Sequence, residues 1–116
     1  EWEQWGNPAE PAAYAYMRKY SPYDNVVRAA YPRMLVTSGV NDPNVGFWEP
    51  AKWVAKLRAA GAGRAGRPVV LRTEMGAGHQ GPSGRYDAWR DEARIQAFVL
   101  TQVGAADPGG LPPGGR

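Results

Sequence analysis

The chain has 116 residues, 43% hydrophobic and 22% charged, with five Trp, six Tyr and a formal net charge of +3. That length allows one modest domain at most, and the aromatic load argues against a disordered chain. The lack of cysteine excludes disulfides and thiolate metal sites, and no apolar run reaches the ~20 residues of a membrane helix.

In chain order, Asn7-Pro8 marks a turn and Glu10 to Tyr20 reads as a short helix. Pro11 suits its first turn, where a missing N–H costs nothing. The stretch from Ser21 to Asn25 breaks it. Met34 to Thr37 is a short apolar run ending at Gly39, and its length and β-branching favour a buried strand. A loop from Gly39 to Gly46 follows, then a helix from Glu49 to Ala60 with Trp53, Val54 and Leu57 at helical spacing. Gly61, Gly63 and Gly66 end it. Val69 to Thr73 is the second strand, and a Gly-rich loop runs from Gly76 to Gly84. Tyr86 to Val103 reads as a longer helix, with Trp89, Ala93, Ala97 and Leu100 on one side and Ile95, Phe98 and Val99 adjoining. Asp87, Asp91 and Glu92 suit the positive end of its dipole. Residues 1–103 form the folded part, and 104–116, rich in Gly and Pro, are expected to be a disordered tail.

Strand, helix, strand, helix is an α/β order, and such connections place successive strands parallel in one sheet. Both glycine-rich loops then leave from the same sheet edge, where α/β folds put their sites. Asp42 follows the first strand and His79 the second, so these two side chains should face each other. His79 is the chain's single histidine. Imidazole titrates near neutrality and can take and return a proton; a carboxylate accepting its Nδ1–H would fix the tautomer. Each residue also has a plainer reading, a surface histidine and a turn-capping aspartate. One His and no Cys leaves only carboxylates beside it, poor company for zinc, so no metal and no cofactor is expected. What the pair lacks is a nucleophile. Hydrolases of this fold set it in a G-x-S-x-G elbow, upstream of the acid and base. Ser21, Ser38 and Ser83 do not match that pattern. Ser83, in Gly81-Pro82-Ser83-Gly84-Arg85, follows the histidine and lacks the final glycine.

Five ordered segments carry a family resemblance: Glu1–Pro8 (EWEQWGNP), Tyr20–Val26 (YSPYDNV), Leu35–Pro43 (LVTSGVNDP), Trp48–Leu57 (WEPAKWVAKL) and Gly76–His79 (GAGH). From Glu1 to about Leu100 the chain resembles the C-terminal end of the prolyl oligopeptidase family of serine peptidases, most closely its oligopeptidase B branch. The resemblance implies the C-terminal part of an α/β-hydrolase fold, with the last two parallel strands and their helices. It implies a parent that cleaves short peptides after Arg or Lys by a Ser-Asp-His triad, under a β-propeller that restricts entry. Asp42 matches the family's triad aspartate and His79 its triad histidine. Glu1 and Glu3 match the acidic pair that receives the basic side chain, a sensible role because positioned carboxylates recognise guanidinium best. The chain departs from the family at Asn44, where many members have Arg, and at Gln80, where Gly is usual.

The expected partners are short Arg/Lys peptides, the upstream remainder of the catalytic domain and the propeller, with neither nucleic acid nor membrane. Arg58, Arg64, Arg67 and Arg72 are spaced by Ala and Gly rather than forming a basic stripe. The expected compartment is the cytoplasm. With the serine absent from the chain, the 116 residues alone are expected to be inactive and to fold poorly. The rival readings are another α/β hydrolase, such as an esterase or a peptidase of different specificity, and a non-catalytic binding module.

Overall fold

The structure, a computed structural model, describes residues 2–64 and 66–105. Glu1 and residues 106–116, most of the expected tail, lie outside the described residues.

A single helical turn, α1 (Trp2–Trp5), opens the chain and was not separately anticipated. The Asn7 side chain then accepts from the N–H of Ala9, at 2.9 Å, and leads into α2 (Pro11–Arg18) with proline in its first turn. This helix ends two residues before the expected Tyr20. Asn25 explains the stop, since its side-chain amide donates to the carbonyls of Arg18 and Ser21 and caps the helix end.

The strands β1 (Met34–Gly39) and β2 (Val69–Glu74) pair in parallel, Met34 opposite Val69 through to Gly39 opposite Glu74. Between them lies α3 (Trp48–Ala59), with Val54 and Leu57 each 1% exposed. Burying each of these side chains stabilises by roughly 1.5–3 kcal/mol. They meet Val69, with Met34, Val36 and Leu71 packed alongside. These strand residues share one face by the two-residue period of a pleated strand. Arg58 donates to the carbonyl of Val69 and ties the helix end to the start of β2.

The opposite face bears Leu35, Thr37, Val70 and Arg72. Here α4 (Arg85–Gln102) approaches, through an ion pair between Arg72 and Asp91. The stripe α4 turns inward is Asp91, Ile95, Phe98 and Gln102, all half-buried. Of the side that carries Trp89, Ala93, Ala97 and Leu100, Trp89 and Leu100 stay 60% and 44% exposed. Apolar residues lie on more than one side of this helix, so periodicity alone did not fix its rotation, and the Arg72 contact selects the Asp91 side.

Much apolar surface remains open, including Trp2, Trp5, Tyr16 and Val70. The radius of gyration is 18.5 Å, against about 13 Å for a compact chain of this length. The small core and open sheet edges are what a piece of a larger sheet would present.

Candidate active site

The loop that leaves β1 is shaped by its own short-range bonds. After Gly39 the chain turns at once, with the Asp42 N–H donating back to the Gly39 carbonyl at 3.3 Å. Oδ1 of Asp42 accepts from the N–H groups of Asn44 (2.8 Å) and Val45 (3.0 Å), the turn-forming habit of a short acidic side chain. Pro43, between Asp42 and Asn44, has no N–H to offer. The Val45 N–H is the main influence holding the Asp42 carboxyl below its ordinary value of 3.8; the His79 ring and the Asn44 N–H act the same way, while partial burial opposes them. Sequence reasoning placed Asn44 only as a departure from a pattern. The structure gives its backbone a role in steadying Asp42.

Past β2 the chain runs through Met75 and Gly76 to Ala77, which is 3% exposed. Gly78 and Gly81 then pair in an antiparallel bridge, the Gly81 N–H donating to the Gly78 carbonyl at 3.2 Å. His79 and Gln80 are thus the two tip residues of a tight turn. Gly81 takes φ +78°, a conformation that L side chains rarely adopt.

The loops meet directly. The Asn41 N–H donates to the Ala77 carbonyl at 3.1 Å, and the Val40 N–H to the Glu74 carbonyl at 3.0 Å. Gly39 makes this approach possible: a Cβ there would stand 2.6 Å from the Ala77 carbonyl oxygen and 2.8 Å from that of Gly78. Its placement at the strand end was visible in the sequence. Its contact with the histidine loop was not, since only the register reveals it.

Nδ1 of His79 lies 3.0 Å from Oδ2 of Asp42 and 3.2 Å from Oδ1. An ionised carboxylate only accepts hydrogen bonds, so Nδ1 carries the proton and Nε2 presents a lone pair. Among the described residues, Nε2 has no hydrogen-bond partner. The Asp42 side chain is 10% exposed and that of His79 45%. The pair therefore joins a sheltered carboxylate to an open base.

A hollow of about 320 Å³ adjoins the pair, lined also by Ser38, Gly39, Arg72, Glu74 and Asp91. Ser38 Oγ is hydrogen-bonded to Thr73 Oγ1 at 2.9 Å, across the strands. Ser83 lines a different depression, beside Asp87, Arg90 and Arg94. Neither serine hydroxyl bonds His79. Glu3 stands exposed on α1 and does not line the hollow. Glu1, its expected companion, lies outside the described residues. Gln80 is exposed at the turn tip and leaves the Asp42–His79 contact intact. No group of three or more potential metal ligands occurs among the described residues.

Comparison with known proteins gives this geometry a context. The sequence profile of the prolyl oligopeptidase family matches residues 1–106. The chain is 49% identical over 104 residues to "Protease 2" of Moraxella lacunata, covering 90% of this chain and 15% of that protein. It is 50% identical over 106 residues to dipeptidyl aminopeptidase BI of Pseudoxanthomonas mexicana, covering 91% of this chain and 14% of the relative. Among solved structures, oligopeptidase B from Leishmania major superposes with a TM-score of 0.84 at 44% identity, over 90% of this chain and 14% of that one. Oligopeptidase B from Trypanosoma brucei, with covalently bound antipain, gives 0.81 at 45% identity over the same shares. The chain spans about one-seventh of the length of these relatives. Its two parallel strands and flanking helices are part of an α/β-hydrolase domain.

Proposed function

Because the chain belongs to the prolyl oligopeptidase family, we propose that it carries the base and the orienting carboxylate of a serine peptidase, His79 and Asp42. The observation that supports this reading most is the 3.0 Å contact between Nδ1 of His79 and the Asp42 carboxylate, with Nε2 left open. In the proposed reaction a serine outside these 116 residues attacks the peptide carbonyl. Nε2 of His79 takes the Oγ proton as the C–O bond forms, then gives it to the leaving amine as the C–N bond breaks. Water repeats the sequence on the acyl-enzyme: His79 takes its proton, hydroxide adds to the acyl carbon, and the serine departs with that proton. Asp42 stays ionised throughout, holding the ring and offsetting the imidazolium charge. The low-lying Asp42 carboxyl suits that duty.

The proposed substrates are short peptides cut after Arg or Lys. Glu1 and Glu3 are assigned to the basic side chain, because paired carboxylates match a guanidinium in charge and geometry. The remainder of the catalytic domain and a β-propeller that admits only short peptides complete the proposed enzyme.

One observation favours a second specificity. A relative at 50% identity is a dipeptidyl aminopeptidase, which suggests release of dipeptides from a free N-terminus. A panel of chromogenic substrates on the complete peptidase separates these readings, with Arg, Lys or Pro before the scissile bond, the N-terminus blocked or free, and an acyl ester beside them. Cleavage of blocked Arg and Lys peptides, with little after Pro, is the expected result. A strict need for a free amino group would favour the dipeptidyl aminopeptidase reading, and preference for the Pro peptide or the ester would overturn the assignment to Arg and Lys.

A further inference from the structure

The loop that carries His79 is poor in internal restraint. It runs ten residues, 75–84, between the end of β2 and the start of α4. Gly76, Gly78, Gly81 and Gly84 give it four residues without a Cβ, two of them at positive φ. Between its ends its backbone bonding among the described residues is the Gly78–Gly81 turn and the Ala77 carbonyl that receives the Asn41 N–H, while the Gly84 carbonyl accepts from Ala88 where α4 begins. Such a loop is only as well placed as its two ends, and the second end is a helix with no fully buried residue.

Arg72 joins those ends. It sits two residues before the end of β2, on the face that α4 approaches. Nη2 donates to Oε2 of Glu74 at 2.8 Å, and Nη1 pairs with Oδ1 of Asp91 in the second turn of α4. The side chains are 22%, 32% and 18% exposed for Arg72, Glu74 and Asp91. A pair this sheltered is less screened than one on an open surface. All three residues line the hollow that Asp42 and His79 share. Arginine's planar fork suits holding two carboxylates at once, which a lysine ammonium does less rigidly.

We propose that Arg72 is a positioning residue for His79: by bridging Glu74 and Asp91 it ties α4 to β2, closing the base of the loop and holding the imidazole against Asp42. The inference rests on the reading of His79 as the peptidase base. Small displacements of a catalytic group are expensive, about 10²-fold for ~1 Å, so the pair acts on rate without touching substrate. The electrostatic signature distinguishes positioning from a field effect. Deleting the Arg72 charge alone, beside Glu74 and Asp91, would favour the charged imidazole. Letting the imidazole drift from the Asp42 carboxylate would disfavour it.

The experiment uses the complete peptidase with an Arg-containing peptide, comparing Arg72→Met, Asp91→Asn, the double variant, Arg72→Lys and His79→Ala. Expected are losses in kcat of roughly 10- to 100-fold for each single variant with KM little changed. The double variant should be no worse than the poorer single, because the two act as one pair. Partial recovery is expected in Arg72→Lys, and in Arg72→Met the acid limb of the kcat/KM profile should move to lower pH. Undiminished kcat in Asp91→Asn, losses that multiply, or an acid limb moved to higher pH in Arg72→Met would overturn the inference. Asp91→Asn alone carries the test if Arg72→Met does not fold. Should His79→Ala keep its activity, the base assignment fails instead; should it lose activity while Arg72→Met and Asp91→Asn keep theirs, only the positioning role falls.

Discussion

The two loops that meet at the sheet edge are built in opposite ways. The first is self-sufficient: Asp42 closes its own turn through the N–H groups of Asn44 and Val45 and is largely sheltered. The second is mostly glycine, and its His79 is nearly half exposed. It draws its position from neighbours: Asp42 itself, the Asn41–Ala77 bond, the close fit over Gly39 and the Arg72–Asp91 pair. The difference fits the proposed duties. A carboxylate that only holds and offsets charge gains from rigidity, whereas a base that reaches between a nucleophile and a leaving group must keep one nitrogen open. The lesson is that the carboxylate turn is local in origin and the histidine turn is tertiary.

Three substitutions probe this contrast in the complete peptidase. The largest expected effect is His79→Ala, with kcat lowered on the order of 10⁵- to 10⁶-fold and thermal melting little changed, since the ring buries little surface. A loss of only tenfold would make His79 a surface residue. Next comes Asp42→Asn, about 10⁴-fold down in kcat. The amide oxygen can still accept from Asn44 and Val45, so the turn should persist in a crystal structure while the ring loses its tautomeric anchor. A collapsed 40–46 loop would show that charge, rather than the turn bonds, shapes that region. The smallest is Gly39→Ala. Its new Cβ meets two carbonyl oxygens of the histidine loop, so overpacking should cost about 1–3 kcal/mol in melting experiments and lower kcat by roughly tenfold. Full stability and rate there would mean the histidine loop shifts freely, with no tight fit over Gly39.

The same contrast explains what the sequence made legible. Both strands and α3 could be placed within a residue or so, because short β-branched runs and the spacing of Val54 and Leu57 are strong local signals. The meeting of Asp42 and His79 followed from parallel strands alone. The rotation of α4 did not, because Trp89, Ile95, Phe98, Val99 and Leu100 spread around the helix and the deciding contact is ionic. Single-turn α1 was missed because four residues carry no period. In the sequence Arg72 is one of several scattered arginines. Its significance depends on Asp91, nineteen residues onward in the sequence and brought near by the fold. Gly39 and the Asn44 backbone likewise needed the register and the turn before their roles could be seen.

The central claim is that the Asp42 carboxylate fixes the proton of His79 on Nδ1. The direct measurement is the tautomeric state of that ring by nitrogen NMR in the complete peptidase, labelled at histidine and assigned by loss of the signal in His79→Ala. The account predicts a protonated Nδ1 and a bare Nε2 above the imidazole's titration, with the Nδ1–H signature lost in Asp42→Asn. A neutral ring protonated at Nε2, unchanged by that substitution, would contradict it.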